Sequence, residues 1–339
     1  MKRKIIFTVL ALLLLAVGFV GFKILGPATV APDKKYFFIK TGATYAEVKA
    51  DLAFLKIIPG EFWFNQVAKK LNYDKAVKAG RYEITNGMSI FSLVRMLRSG
   101  NQSPVKLVIT KLRTKEDLAA KIANNFECDS LSVISFLNNP DSLRTYKLDT
   151  NTVMTAVIPN TYNILWNTPV SRIFKKLYTE QQKFWTEERE KKAAALNMTP
   201  AQVYTMASIV EEETNKDEDK GKVASVYINR IETGQRLEAD PTIKFALHNF
   251  GLKRIWDSHK KAAANSPYNT YYNTGLPPGP ICTPSSKTID AVLNAPQTNY
   301  LFFVAKPDWS GLSNFTHSYD EHRINARNYQ HFLDSVNIK

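Results

Sequence analysis

Residues 5–22 read IIFTVLALLLLAVGFVGF, about 18 residues without a charge, with Lys2, Arg3 and Lys4 before them and Lys23 after. A helix of that length crosses the hydrocarbon core of a bilayer once when Lys23 extends its ammonium to the headgroups. By the positive-inside rule the leading basic residues keep the N-terminus in the cytoplasm and send the rest of the chain outside. The expectation is a cytoplasmic tail over residues 1–4, a single-pass anchor over residues 5–25 in the cell (inner) membrane, and an extracytoplasmic remainder. A cleaved signal peptide is the competing reading. Against it, the run exceeds the roughly 7–15 apolar residues usual for one, and no clear Ala-x-Ala site follows. No cysteine lies close enough for a lipoprotein signal.

A chain of 339 residues is too long for one small core, so at least two folding units are expected. Its formal charge of +14 points to anionic partners. Outside the membrane these are lipid headgroups or an anionic wall polymer rather than nucleic acid. The basic residues are dispersed, without the aromatic-interleaved block of a single-strand binder. General solubility is the plainer account of the charge. Cys128 and Cys282 can pair or stay free, and no C-x-x-C pattern supports a zinc or redox site.

After a polar linker with Pro27 and Pro32, three strand-then-helix units follow. In the first, YFFIK is the strand, and Thr44 with Glu47 forms a capping box. In the second, GRYEI is the strand, Ser89 caps IFSLVRMLRS, and Gly100 closes the helix. In the third, VKLVI leads through Thr114 into KEDLAAKIANNF. Residues 130–195 are mostly helical, interrupted by VIPNTYNILWNTP as an extended loop; TEEREKKAAAL reads as an exposed charged helix. Thr199, Pro200 and Gln202 open a further helix with N-cap, N1 proline and capping box, and a helix over residues 217–233 stops at Gly234. Beyond it, EADPTIKFAL, NSPYNTYYNTGLPPGPICTP and FTHSYDEH read as irregular segments walling a groove.

The stretch MASIVEEETNK, residues 206–216, runs from apolar residues straight into Glu211, Glu212 and Glu213. On a wheel of about 100° per residue, Val203, Met206, Ala207 and Val210 form the buried stripe. Glu212 falls opposite, in solvent; Glu211 and Glu213 flank the two edges. An edge carboxyl that is half-buried has a raised pKa and serves as an acid. Taken alone, an acidic triplet near a helix end is more often a solvated patch.

ASIVEEET, KVASVYINR, LEADPTI, SPYNTY, GLPPGPI and FTHSYDEH follow one another in that order. Together they resemble the YceG-like family of endolytic murein transglycosylases, the MltG type. The resemblance extends from the anchor onward and includes a LysM-like subdomain, to which KAGRYEITNGMSIFSLVRMLRSG is similar. It implies an α+β chain with one transmembrane helix, a small LysM-like βα subdomain over residues 35–104 and a larger mixed α/β catalytic domain over residues 105–339. It implies lytic cleavage of the MurNAc–GlcNAc bond within peptidoglycan strands, leaving a 1,6-anhydro-MurNAc end, with no cofactor and no metal. Penicillin-binding proteins or other wall synthases are implied partners.

The family's catalytic glutamate is the second acid of an E-K-E-T sequence and maps to Glu213, with Glu211 as fallback; Glu212 stands where the family often has lysine. One acid suffices chemically because the nucleophile is the sugar's own C6 hydroxyl, tethered to the reacting ring. The motifs put Asn229, Arg230, Asp240, Thr242, Tyr268, Asn269, Thr270, Tyr271 and His317 forward as substrate-binding residues. Amides and hydroxyls suit N-acetyl groups and sugar hydroxyls, and tyrosine rings suit sugar faces. Arg230 can instead simply pair with a carboxylate, and Asp240 can cap a turn. Where the family has an acid in P-D-T-Y, this chain has Asn160. Two rival readings stand beside this one: a metal-dependent wall hydrolase using His317 and His322, and a non-catalytic glycan-binding scaffold. The histidine spacing matches no H-x-x-x-H or H-E-x-x-H pattern.

Overall fold

The structure, a computed structural model, describes residues 2–335. Met1, at the head of the expected tail, and residues 336–339, at the end of the expected larger domain, lie outside them. The chain forms two compact units. The first takes the described residues up to Leu107 together with Ala123–Asp129 and Asn163–Pro169; the second takes Val108–Ile122, Ser130–Tyr162 and the described residues from Val170 on.

The first unit begins with α1 (Lys2–Leu25), of which nothing is buried. It is long and apolar enough to span a membrane. Then come β1 (Tyr36–Ile39), α2 (Tyr45–Phe54), α3 (Glu61–Lys70), β2 (Gly80–Glu83) and α4 (Ile90–Ser99). The strands pair antiparallel, with Tyr36 opposite Glu83 and Ile39 opposite Gly80. Period-2 alternation buries Phe37 and Ile39 of β1 and Tyr82 of β2 against Leu52, Phe64, Leu93 and Leu97 of the helices. The capping box of Thr44 and Glu47, the Ser89 cap and Gly100 at φ +72° all form as expected. Helix α3 is an addition to the strand-then-helix pattern: GEFWFNQVAKK sits between the first two units and buries Phe64, Val67 and Ala68.

The remaining elements are β3 (Val105–Val108), α5 (Lys115–Ala123), α6 (Ser130–Asn138), α7 (Pro140–Arg144), β4 (Thr161–Ile164), α8 (Val170–Phe184), α9 (Glu187–Ala195), α10 (Pro200–Glu213), α11 (Asp217–Glu232), α12 (Asp240–Ala246), α13 (Asp257–Ala262), α14 (Ser286–Leu293), β5 (Phe302–Ala305), β6 (Ser313–Thr316) and α15 (Tyr319–Ser335). β3 pairs with β4, and β5 pairs antiparallel with β6. The fold is mixed, helix-rich α+β.

Three segments differ from the sequence reading. The loop VIPNTYNILWNTP contains β4, because Tyr162 and Ile164 alternate inward and give it a face to bury. EADPTIKFAL contains α12, with Pro241 in the first turn, where its missing N–H costs nothing. FTHSYDEH divides between the end of β6 and the start of α15. The charged helix α9 is also less free than its composition implies: Ala193 is buried, and Arg189 forks onto Asp290 at 2.8 and 3.0 Å.

The core of the second unit is built around α10. Thr199, Pro200 and Gln202 start it as expected, with both halves of the capping box in place. Val203, Met206, Ala207 and Val210 are fully buried, but so are Tyr204, Ser208 and Ile209. Helices α11, α12 and α14 all pack on α10, so every residue from Val203 to Val210 is buried and no solvent stripe runs along it. Its interior polar groups are satisfied locally: Thr205 donates to the Ala201 carbonyl and Ser208 to the Thr205 carbonyl.

Candidate active site

The three glutamates close α10 at the negative end of its dipole, where carboxylates are disfavoured without compensation. At about 100° per residue they point in three directions, and each meets a different environment.

Glu212 is not in solvent, contrary to the wheel. Its side chain is only 12% exposed. Arg113 forks onto it at 3.1 and 2.9 Å, and Lys111 reaches it at 3.0 Å. Burial pushes its carboxyl up, but the bonds from Arg113 and Lys111 outweigh that and hold it below the usual range. The wheel places the residue correctly opposite the stripe; what it lacks is the segment 109–113 lying there. Glu211, the fallback acid, anchors the start of α14. It accepts from the Ser285 hydroxyl at 3.1 Å and from the Thr288 hydroxyl, and Lys220 lies 3.7 Å away.

Glu213 makes no ion pair among the described residues. It opens into a cleft of about 290 Å³ lined by Tyr227, Arg230, Glu238, Asp240, Tyr271, Phe302, Phe303 and His322. The Tyr227 hydroxyl donates to Glu213 Oε1 at 2.7 Å. Burial pushes the Glu213 carboxyl up to about 7, the Asp240 charge adds to the rise, and the Tyr227 bond and Lys244 charge only partly oppose it. Tyr227 itself is driven well above its ordinary value by burial and by the Glu213 charge, so it remains a donor. The result is a carboxyl that gives up and regains a proton near neutrality, with one oxygen held by a phenol.

Of the residues singled out from the motifs, Arg230, Asp240 and Tyr271 meet Glu213 in this cleft. The Tyr271 hydroxyl donates to Asp240 Oδ1 at 2.6 Å. Arg230 spends Nε on the Leu301 carbonyl and Nη1 on the Arg236 and Leu237 carbonyls, with Glu238 at 3.2 Å. Its guanidinium fixes the rim of the cleft.

The other motif residues do not line this cleft. Asn229 gives its amide to the carbonyls of Thr298 and Tyr300. Thr242 and Thr270 share a hydroxyl contact of 2.9 Å, and Thr270 also accepts from the Ala239 N–H. Asn269, fully buried, donates to the Lys260 and Ala263 carbonyls and accepts from the Tyr271 N–H. Tyr268 packs on Phe245, their ring centroids 4.7 Å apart. His317 Nδ1 sits 2.9 Å from the Asn299 carbonyl. Asn160 Oδ1 accepts from the Thr161 N–H, a local turn bond. His322 lies in the cleft, stacked on Phe302, and burial followed by the Arg230 charge lowers its pKa. Among the described residues no three His, Cys, Asp or Glu side chains converge as metal ligands. Both cysteines are free, Cys128 half-buried and Cys282 buried.

Tyr227, Glu238, Phe302 and Phe303 are the site residues that sequence reasoning missed. Tyr227 reads as one of the apolar residues of α11, and only its place in KVASVYINR marks it out. Phe302 and Phe303 arrive through β5, which nothing in the acidic motif foretells.

The helix-rich α+β unit thus turns one carboxyl of three, held by a phenol and free of any ion pair among the described residues, toward a tyrosine-lined cleft. A model of the YceG-like family matches residues 37–328, and the chain belongs to that family. It is 28% identical over 308 residues to a Bacillus subtilis (strain 168) protein named endolytic murein transglycosylase, covering 86% of this chain and 83% of that one. A protein of the same name from Streptococcus pneumoniae serotype 2 (strain D39) is 26% identical over 341 residues, covering 88% of this chain but 60% of its own length. A crystal structure of a YceG-like protein from Listeria monocytogenes superimposes with a TM-score of 0.57 at 25% identity, covering 86% of this chain and 99% of the other.

Proposed function

We propose that this chain is a membrane-anchored endolytic peptidoglycan transglycosylase that cleaves the MurNAc–GlcNAc bond within glycan strands and leaves a 1,6-anhydro-MurNAc end. The observation that carries the reading is the difference among three adjacent carboxyls. Glu212 and Glu211 are compensated by cations and hydroxyls, whereas Glu213 meets a phenol and an open cleft. Family membership and the names of the bacterial relatives support the substrate.

In this mechanism Glu213, protonated, gives its proton to the departing glycosidic oxygen. The positive charge that develops on the sugar ring is stabilised by Asp240, whose carboxylate Tyr271 orients. Glu213, now a carboxylate, takes the proton from the C6 hydroxyl as that oxygen closes on C1. No water and no second nucleophile are needed, because the hydroxyl is part of the reacting sugar. Tyr227 holds Oε1 throughout and leaves Oε2 for the proton. Arg230, Asp240 and Tyr271 are the glycan-facing residues; Thr242, Tyr268, Asn269 and Thr270 hold the segments that carry Asp240 and Tyr271, and Asn229 and His317 hold the segment that leads into β5.

Residues 1–4 are read as a cytoplasmic tail, 5–25 as the anchor, 35–104 as a LysM-like subdomain and 105–339 as the catalytic domain. The β1–α2–α3–β2 order with its antiparallel strands supports the LysM-like reading. Partnership with penicillin-binding proteins or other wall synthases belongs to the same proposal.

The test is digestion of purified peptidoglycan with wild type, Glu213→Gln and Glu211→Gln, followed by mass spectrometry for anhydro-muropeptides. Wild type and Glu211→Gln are expected to make them and Glu213→Gln not. Wild type making none defeats the activity; Glu213→Gln making as many defeats the assigned acid.

A further inference from the structure

The end of the first unit that packs against α1 carries an aromatic surface that the cleavage reaction does not use. Phe62 is 63% exposed at the start of α3, and its ring meets that of Trp63 edge-on at 5.0 Å. The Trp63 ring in turn meets that of Phe19 of α1 at 6.4 Å. Phe22 and Lys23 of α1 and Phe62 and Trp63 of α3 line one cleft of about 490 Å³. Val30, 60% exposed, is tied to the α2–α3 connection through its N–H to the Ile57 carbonyl. We infer that this face, with Phe62 and Trp63 at its centre, rests in the interfacial layer of the bilayer that α1 spans. The inference depends on α1 being a retained anchor.

If residues 5–22 fill the hydrocarbon core, Lys23 marks its outer boundary. Phe19 lies four residues earlier, about 6 Å along the helix axis at 1.5 Å per residue, and so is inside that boundary. A ring in contact with Phe19 cannot stand clear of the headgroups, which puts Trp63 at the interface. That is the layer tryptophan favours, where its apolar body and its N–H are both accommodated. Phe62, beside it and uncovered by protein, then faces acyl chains instead of water. The charges suit the same place. Lys23 lies over the Phe19 ring at 5.4 Å, and among the described residues its ammonium makes no ion pair that would keep it from a lipid phosphate. Glu61, the acid lining the cleft, is neutralised by Lys49 at 2.8 Å. A soluble unit tethered by a flexible stalk has no reason to expose this ring pair against its own anchor.

The full chain, with Cys128 and Cys282 replaced by serine, would be reconstituted into phosphatidylethanolamine–phosphatidylglycerol vesicles carrying a nitroxide at one of three positions. These are Phe62→Cys, Leu13→Cys within α1, and Leu131→Cys on the exposed surface of α6. Oxygen accessibility relative to that of a water-soluble nickel chelate reports depth. A ratio several-fold higher at position 62 than at 131 supports the inference. A ratio at 62 equal to that at 131, with position 13 in the bilayer, overturns it while leaving the anchor intact. Position 13 open to the chelate overturns the anchor and the inference together. With both native cysteines in place, quenching of tryptophan emission by brominated lipid gives a second readout: Trp63→Phe should remove most of it, and unchanged quenching overturns the inference. Neither readout depends on the chemistry at Glu213.

Discussion

The hydroxyl of Tyr227 donates a 2.7 Å hydrogen bond to Oε1 of Glu213, so a residue of α11 fixes the carboxyl of α10 that makes no ion pair among the described residues. Because this bond favours the charged carboxylate, it works against the burial that raises the pKa. Tyr227→Phe removes it without removing the acid. The Glu213 pKa should rise further, and the alkaline limb of the kcat/KM profile should move to higher pH. Below that limb, the loss of an orienting bond should lower the rate about tenfold, the equivalent of one charge-assisted hydrogen bond. A pH–rate profile on solubilised glycan strands checks both parts, and a limb moving downward would refute the assigned bond.

Asp240→Asn should have the opposite sign. The Asp240 charge helps raise the Glu213 pKa, so its removal lets that pKa fall and moves the alkaline limb to lower pH. It should also lower kcat more than KM, since the charge it supplies matters where the sugar ring becomes positive. Tyr271→Phe, which leaves the carboxylate in place and removes only its 2.6 Å bond, should give a smaller loss. The two profiles measured together separate the electrostatic effect from the positional one.

Glu213 should also oppose folding near neutral pH. Its folded pKa of about 7 lies above the unfolded value of 4.5. Between these values the unfolded chain has lost the proton that the folded chain keeps, so stability falls as pH rises through this window and levels off above it. Glu213→Gln removes the penalty. It should match wild type near pH 4.5 and exceed it at pH 8 by up to about 3 kcal/mol, since each pKa unit separating the folded and unfolded values is worth about 1.4 kcal/mol. Its activity should fall by about 10²–10⁴, the usual worth of a general acid. Denaturant unfolding at the two pH values, set beside anhydro-muropeptide yield, tests whether loss of function and gain of stability arise at one residue.

What could be read from the chain divides by the range of the interaction. The Thr44–Glu47 and Thr199–Gln202 boxes and the Ser89 cap close within three residues, so their partners are visible in the sequence. Glu213 could be set apart from Glu212 by angle, but what lies at each angle could not. Lys111 and Arg113 reach Glu212 from about a hundred positions away and make an ion pair where solvent was expected. The motif YNTY shows the same limit. Its residue types state how many hydrogen bonds each can make, not with what. Asn269 and Thr270 spend theirs holding the loop, while Tyr271 alone of the four reaches the cleft. Tyr227 was hidden for a related reason: on a helix face with valines and isoleucine, a tyrosine reads as core.

Glu212 provides the contrast that separates structure from chemistry in the acidic triplet. Its folded pKa is depressed, so its pairing with Arg113 and Lys111 stabilises the fold above the unfolded carboxylate pKa and is lost as pH falls through the folded value. Glu212→Gln leaves two cations facing a neutral amide. Arg113 is 35% exposed, so solvent recovers part of its solvation, and the expected cost at pH 7 is about 2 kcal/mol rather than the larger figure for a fully buried pair. The difference from wild type should shrink toward zero in acid, the reverse of the pattern at Glu213. Activity per folded molecule should stay within about twofold of wild type, since the side chain faces away from the cleft and no proton passes through it. Unfolding curves across pH, with activity corrected for the folded fraction, decide it. Glu212→Gln losing activity as completely as Glu213→Gln would mean that the acid has been placed on the wrong side of the helix.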